Sequence, residues 1–307
     1  MLPQKDLVSL RGLSKDEILF ILDTASEMKR KIDNPSERDN SLQSVSVATL
    51  FYENSTRTKM SFLMAGSYLG ATIHDLGVST SSAQKGERLV ETGENLDQMG
   101  IGIMIIRHQQ TGAPHLLAKR VKASVINAGD GTNEHPTQAL LDLMTIRERY
   151  DDFKGLKVVI LGDISHSRVA RSNAFGLTTL GASVTLAGPA TLVSANMQAL
   201  GVSVTNNISR AVAGADVVMG LRIQFERDKA AAFPTLREYS DLFGITEEVL
   251  EAAKPRALVM HPGPINRGVE LSVDVIDGKR SVIYQQVKNG VAVRMALLKI
   301  LSDKRLL

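Results

Sequence analysis

Ser55, Thr56, Arg57 and Thr58 follow an apolar run, Val45 to Phe51. They open a segment in which Met60, Leu63, Met64 and Tyr68 recur at helical spacing, with Gly70 as its stop. Three hydroxyls and a guanidinium at the junction of a buried strand and a helix head are suited to binding an anion. The first N–H groups of a helix have no partner within it, and the helix dipole favours negative charge there. A phosphate fits that description. The same four residues would also serve as a plain cap, with Ser55 or Asn54 as N-cap and Arg57 solvated. Arg57 argues for the anion, because a cation in a first turn opposes the dipole until a negative group neutralises it.

The same arrangement recurs along the chain. Ile101 to Ile106 is a strand pattern ending at Arg107 and His108. Val121 to Ala128 leads through Gly129, Asp130 and Gly131 to His135, Pro136, Thr137 and Gln138. Pro136 suits a first helical position, which places His135 and Gln138 around another helix head, with Leu140, Leu141, Leu143 and Met144 as its buried face. Leu156 to Leu161 leads to Gly162, Asp163, Ser165, His166 and Arg168, with a helix from about Val169. Asp216 to Leu221 ends at Arg222 and Gln224, and Ala257 to Met260 runs into the rigid turn His261-Pro262-Gly263-Pro264. Val78 to Glu87 is rich in hydroxyls. It reads either as a surface loop or as a flexible arm carrying Ser81 and Lys85 to an anion.

The elements needed to hold these groups are legible from period and punctuation. Ser14 to Ile32 is an amphipathic helix with a capping box of Ser14 and Glu17. Ala71 to Leu76, Ser183 to Ala187 and Val202 to Thr205 add strand patterns, while Glu87 to Gln98 and Thr246 to Ala253 read as helices. Val193 to Leu200 is a further regular segment, and Glu226 to Phe233 is polar. Alternating strands and helices imply parallel sheets, so the expected class is α/β, with two doubly wound parallel-sheet domains. The polar stretch Tyr150 to Gly155 marks the boundary between residues 1–150 and 151–283, and a last helix, residues 284–307, is expected to return to the first domain. Open α/β sheets bind ligands outside their carboxyl ends, so these polar groups are expected to share one crevice, rich in arginine and without acids.

Composition narrows the chemistry. The 307 residues are 43% hydrophobic and 22% charged, as in an ordinary globular protein. Basic residues are scattered over a net charge of +3 and aromatic content is 4%, which argues against nucleic acid and suits small anionic substrates. The absence of cysteine excludes disulfides, thiol catalysis and cysteine-based metal sites. No cofactor is expected: the six histidines show no HExxH, and the turn after Leu161 lacks the glycines of a dinucleotide fingerprint. Asp163, Ser165 and His166 have the residue types of a triad without its GxSxG elbow. His74, His108, His115 and His166 read as structural or exposed. Neither an apolar leader nor a membrane span is seen, and a cytoplasmic location is expected.

Taken together, Phe51 to Thr58, Lys85-Gly86-Glu87, Arg107-His108, His135 to Gln138, Arg222-Ile223-Gln224 and His261 to Pro264 resemble the catalytic chains of aspartate carbamoyltransferases, within the aspartate and ornithine carbamoyltransferase superfamily. The resemblance runs in order over nearly the whole chain. It implies a domain for carbamoyl phosphate and one for aspartate, with the active site in the cleft between them. It assigns Ser55, Thr56, Arg57, Thr58 and Arg107 to the phosphate, and Thr58, Arg107 and His135 to the carbamoyl oxygen. Gln138 and the carbonyls of Pro262 and Gly263 fall to the carbamoyl NH2 group, and Arg168, Arg222, Gln224 and Lys85 to L-aspartate. Ser81 and Lys85 would come from a neighbouring subunit of a homotrimer, with a regulatory chain or a dihydroorotase as possible further partners. Some relatives carry Leu in place of Gly263, so that position would act through its backbone. An ornithine carbamoyltransferase and a noncatalytic assembly subunit are the alternatives. The first typically has a cysteine in the turn at 261–264, and the second would have lost the phosphate motif or His135.

Overall fold

The computed structural model describes residues 4–34, 40–77, 87–223 and 235–303. The chain divides into two compact units, Met1–Met144 with Lys288–Leu307, and Thr145–Val287. In the first, α1 (Lys15–Asp33) starts at the expected capping box, Ser14 with Glu17. There follow β1 (Ser46–Phe51), α2 (Thr56–Tyr68), β2 (Thr72–Leu76), α3 (Leu89–Gln98), β3 (Ile103–His108), α4 (Ala113–Ala118) and β4 (Ser124–Asp130). Helix α5 (Pro136–Tyr150) begins in this unit and ends in the second.

The four strands form a parallel sheet in the order β2-β1-β3-β4. Chain order reverses between β1 and β3, where Phe51 stands opposite Arg107. That is the switch point at which such a sheet opens a crevice. Strands β1, β3 and β4 are buried along most of their length, whereas edge strand β2 is largely exposed; Leu50, Met104, Ile106 and Val125 are fully buried and pack with Leu117 of α4. Each such side chain contributes roughly 1.5–3 kcal/mol of burial.

The second unit repeats the logic with β5 (Lys157–Leu161), α6 (Arg168–Thr179), β6 (Ser183–Ala187), a 3-10 helix over Ala195–Leu200, β7 (Ser203–Thr205), α7 (Ile208–Val212) and β8 (Val217–Gly220). Then come α8 (Leu236–Phe243), α9 (Glu247–Glu251), β9 (Leu258–Met260) and α10 (Val273–Ile276). Its five parallel strands run β7-β6-β5-β8-β9, so the switch point lies between β5 and β8. Helix α11 (Ile283–Asp303) starts here and ends in the first unit. Among the described residues, no helix is long and apolar enough to cross a membrane.

The helix expected after Ser55 is present, and its buried side is not its most apolar one. The buried face of α2 is Thr58, Ser61, Phe62, Ala65 and Gly66, whereas Met60 and Met64 are 53% and 40% exposed. Close packing decides this. A Cβ on Gly66 would lie 2.2 Å from Ile73 Cδ1 of β2, so only the small-residue face can lie against the sheet. Helices α4, α7, α8 and α10, with at most eight residues each, were not foreseen, being too short for a clear period. The segment from Val193 is a 3-10 helix, and the polar stretch from Glu226 to Phe233 lies outside the described residues.

At the second switch point Gly162 has φ +132°, and a Cβ there would be 2.6 Å from the Leu221 carbonyl oxygen. Gly162→Ala should therefore cost about 2 kcal/mol or more. A urea midpoint equal to that of the parent protein would contradict this reading of the β5–β8 junction.

Candidate anion-binding sites

In the first unit the expected groups gather at the carboxyl edge of the sheet. Ser55 is the N-cap of α2 in extended conformation, and its side chain makes no capping hydrogen bond, which leaves its hydroxyl available to a ligand. The first turn of α2 carries Arg57 and no acid. By contrast α1, α3, α8, α9 and α10 place one or two carboxylates there, as the dipole favours. Thr56 and Arg57 are exposed while Thr58 is buried, so the head presents both a solvated and a sequestered hydroxyl.

Arg107 enters from the adjacent strand end, and the Tyr52 N–H donates to its carbonyl at 2.9 Å. Its Nη2 donates to Glu53 Oε1 at 2.6 Å, with both side chains largely buried. The edge is thus not free of acids, as the sequence suggested. Glu53 fixes the direction of the guanidinium. Beside it His108 accepts the Gln110 N–H on Nδ1 at 2.9 Å and lies 4.9 Å, ring centre to ring centre, from Tyr52.

His135 and Gln138 are placed by the turn after β4. The carboxylate of Asp130, fully buried, accepts from the Asn127 side chain at 2.8 Å, the Gly112 N–H at 2.8 Å and the Glu134 N–H at 3.1 Å. This cross-bracing delivers His135, 4% exposed, to the head of α5. One turn on, Gln138 Nε2 donates to Asp142 Oδ1 at 3.0 Å. A carboxylate only accepts, so the amide nitrogen must face Asp142 and Oε1 is the end turned to other donors.

In the second unit Arg168 is the first residue of α6, a head that also lacks acids, and Ser167 caps it by accepting the Ala170 N–H at 3.1 Å. Arg168 is buried, and Arg222 follows β8, the strand paired with β5. Asp163, 1% exposed, holds His166 Nδ1 at 2.9 Å just ahead of Arg168 in the chain. Burial pushes the Arg171 guanidinium down from its ordinary value, opposed by the charge of Asp163.

The turn after β9 has its own support. Gly263, at φ +66°, donates its N–H to His261 Nδ1 at 2.8 Å, and His261 Nε2 faces Glu270 Oε1 at 3.4 Å. An accepting Nδ1 leaves the proton on Nε2, so the carboxylate and the glycine N–H agree on one tautomer. The carbonyls of Pro262 and Gly263 belong to this braced turn. Ser81, Lys85 and Gln224 lie outside the described residues. Sequence reasoning did not single out Asp142 or Glu270 and gave no supporting role to Glu53, Asp130 or Asp163, although it named the turn at Asp130 and weighed Asp163 beside His166. Among the described residues no group of three or more His, Cys, Asp or Glu is placed to hold a metal ion.

Two doubly wound sheets, each with an arginine-bearing helix head beside its switch point, define an α/β protein equipped to bind small polyanions at two places. The chain belongs to the aspartate/ornithine carbamoyltransferase family. Residues 5–148 match the family's carbamoyl-P binding domain and residues 154–301 its Asp/Orn binding domain. It is 56% identical over 303 residues to the aspartate carbamoyltransferase catalytic subunit of Ruminiclostridium cellulolyticum, covering 99% of this chain and 97% of that one. Among solved structures, the aspartate transcarbamoylase of Trypanosoma cruzi in complex with carbamoyl aspartate and phosphate matches with a TM-score of 0.85 at 31% identity, over 95% of this chain and 94% of that one. The ornithine carbamoyltransferase of Pyrococcus furiosus matches with 0.84 at 30%, over 95% of each.

Burial holds the His108 imidazole below its ordinary range, against the opposing charges of Glu53 and Asp130. On acidification the unfolded chain therefore takes up this proton first. His108 contributes a loss of stability that begins as pH falls through about 6.5 and is absent above it. Melting temperatures at about pH 8 and pH 5.5 should differ less in His108→Gln than in the parent protein. An equal difference in both would contradict the assignment.

Proposed function

We propose that the chain transfers the carbamoyl group of carbamoyl phosphate to the α-amino group of L-aspartate, giving N-carbamoyl-L-aspartate and phosphate, a step of pyrimidine (UMP) synthesis. The observation that carries this reading is the 56% identity, over nearly the full length, to a chain named for that activity. The arginine-bearing heads support it, since both substrates are anions. A cytoplasmic location is part of the same reading.

In the first unit, Ser55, Thr56, Arg57, Thr58 and Arg107 are assigned to the phosphate group. Guanidinium forks bind phosphate oxygens two at a time, and first-turn N–H groups add further donors. Thr58, Arg107 and His135 donate to the carbamoyl oxygen, where negative charge grows as the tetrahedral intermediate forms. The Oε1 of Gln138 accepts from the carbamoyl NH2 group. In the second unit, Arg168, Arg222 and Gln224 bind the carboxylates of aspartate, and the carbonyls of Pro262 and Gly263 are acceptors suited to an NH2 group.

The amine nitrogen forms the new N–C bond, the C–O bond to phosphate breaks, and the departing phosphate takes the proton from the amine. No separate general base is assigned. Catalysis is alignment of two anions together with stabilisation of the oxyanion. His135 acts as a neutral donor, since a histidine near several arginines is disfavoured in its charged form. His135→Asn should lower turnover, and full retention would remove His135 from this role.

With carbamoyl phosphate, the purified chain should form ureido product and phosphate with L-aspartate and none with L-ornithine. Arg57→Ala should reduce that turnover by about 10²-fold or more. Product with ornithine would mean that Arg222 and Gln224 have been misassigned. Product with neither would favour a scaffold role.

Ser81 and Lys85 are assigned to a neighbouring subunit's site in a homotrimer. Mixing inactive Arg57→Ala chains with inactive Lys85→Ala chains should then restore some activity, because hybrid trimers regenerate intact sites. No recovery after verified subunit exchange would count against sharing.

A further inference from the structure

Arg294, in α11, is 3% exposed and lies among α2, α5 and its own helix. Its guanidinium carbon sits 5.0 Å from the ring centre of Phe62 on the buried face of α2. Nη1 donates to the Gly290 carbonyl at 2.9 Å, and Nη2 to Thr137 Oγ1 at 3.4 Å. The approach of the helices is close: a Cβ on Gly290 would lie 2.7 Å from Arg294 Nη1 and 3.1 Å from Leu141 Cδ2. Nε has no hydrogen-bond partner among the described residues. Burying a cation this incompletely satisfied costs several kcal/mol, so its retention calls for a reason beyond packing.

Thr137 stands between His135 and Gln138 at the head of α5, fully buried, and its hydroxyl has two partners among the described residues. One is Arg294, and the other is His135 Nδ1 at 3.5 Å. A guanidinium can only donate. Burial pushes that of Arg294 down to about 9, with Asp142 opposing and Arg107 adding to the fall, which leaves it protonated at neutral pH. The hydroxyl oxygen therefore accepts from Arg294, and among the described residues His135 Nδ1 is the acceptor within reach of the hydroxyl proton. An imidazole nitrogen that accepts is bare, so the ring's one proton is on Nε2.

We propose that Arg294, acting through the Thr137 hydroxyl, holds neutral His135 in the tautomer that carries its proton on Nε2, and so is a positioning residue for the donor to the carbamoyl oxygen. This rests on the role given to His135 above. Both hydrogen bonds are long, and their effect comes from direction: an oxygen between a compulsory donor and one acceptor has a single orientation to adopt. Arg294 touches no substrate in this scheme.

The test is the side-chain 15N spectrum of His135 in the whole protein, with steady-state kinetics alongside. The parent, Thr137→Ser and Arg294→Lys should each show one tautomer, with imine-type Nδ1 and pyrrole-type Nε2. Thr137→Val and Arg294→Met should show a mixture, with kcat lowered by about tenfold and KM for L-aspartate little changed. A single Nε2–H tautomer retained in Thr137→Val overturns the proposal, as does one retained in a folded Arg294→Met. Should Arg294→Met fail to fold, Thr137→Val against Thr137→Ser decides, since both leave the packing of Arg294 in place. Phosphonoacetamide, a carbamoyl phosphate analogue with CH2 for the bridging oxygen, is then added to the parent protein. It should shift the His135 Nε2 resonance. No shift would overturn the role of His135 itself, and would do so even if the tautomer results hold.

Discussion

A cation at the positive end of a helix with no carboxylate in the same turn is an electrostatic conflict, and it occurs at Arg57 of α2 and at Arg168 of α6. Where α1 and α8 open with a cation, Lys15 or Arg237, a carboxylate shares the turn, Asp16 and Glu17 or Glu238. The two conflicts stand at the two places where a doubly wound sheet opens, after β1 and after β5. Relief requires a negative group from outside each helix. The first unit has a partial substitute in Glu53, which neutralises and aims Arg107 on the neighbouring strand.

Holding cationic and imidazole groups in fixed directions without filling the site with carboxylates calls for acids one step away. Asp130 braces a turn by accepting from four groups, two backbone N–H and two asparagine side chains. Asp142 faces Gln138 from one turn further along α5, and Glu270 stands behind the histidine that braces Gly263. All three are almost wholly buried, so each unmade hydrogen bond would be costly, and the orientation of the outer groups inherits that stiffness. Both buried imidazoles, His135 and His261, are oriented through Nδ1, one by a hydroxyl and one by a backbone N–H. The choice of tautomer is made behind the site in each case.

The junctions β1–α2, β3 to Arg107, β4–α5 and β5–α6 were legible in the sequence because the hydrophobic period changes there and polar residues interrupt it. Residues of a switch point announce themselves locally. Their supports do not: Glu53 and Arg107 are 54 positions apart, and Thr137 and Arg294 are 157 apart, so each pairing depends on register and packing that no local pattern encodes. Which face of α2 is buried has the same origin. Met60 and Met64 look like core by type, but Gly66 against Ile73 sets which side can approach the sheet. Expecting an edge free of acids failed because a carboxylate that serves an arginine in space looks, in sequence, like any other solvated charge.

Sharing this fold with proteins named for aspartate and for ornithine means that the sheets cannot carry the choice of amino acid. The choice has to be made by side chains, and it is a choice of charge. A second carboxylate wants a guanidinium, whereas an ammonium side chain wants an acid or carbonyl oxygens and is repelled by arginine. Beyond β8 the first charged residue described is Arg222, partly buried, where lowered dielectric strengthens attraction and repulsion alike. An ornithine side chain brought to Arg222 would bury like charges together, a penalty that no rearrangement of the sheet relieves. Discrimination by repulsion needs only one well-placed cation, and a strand end is rigid enough to hold it.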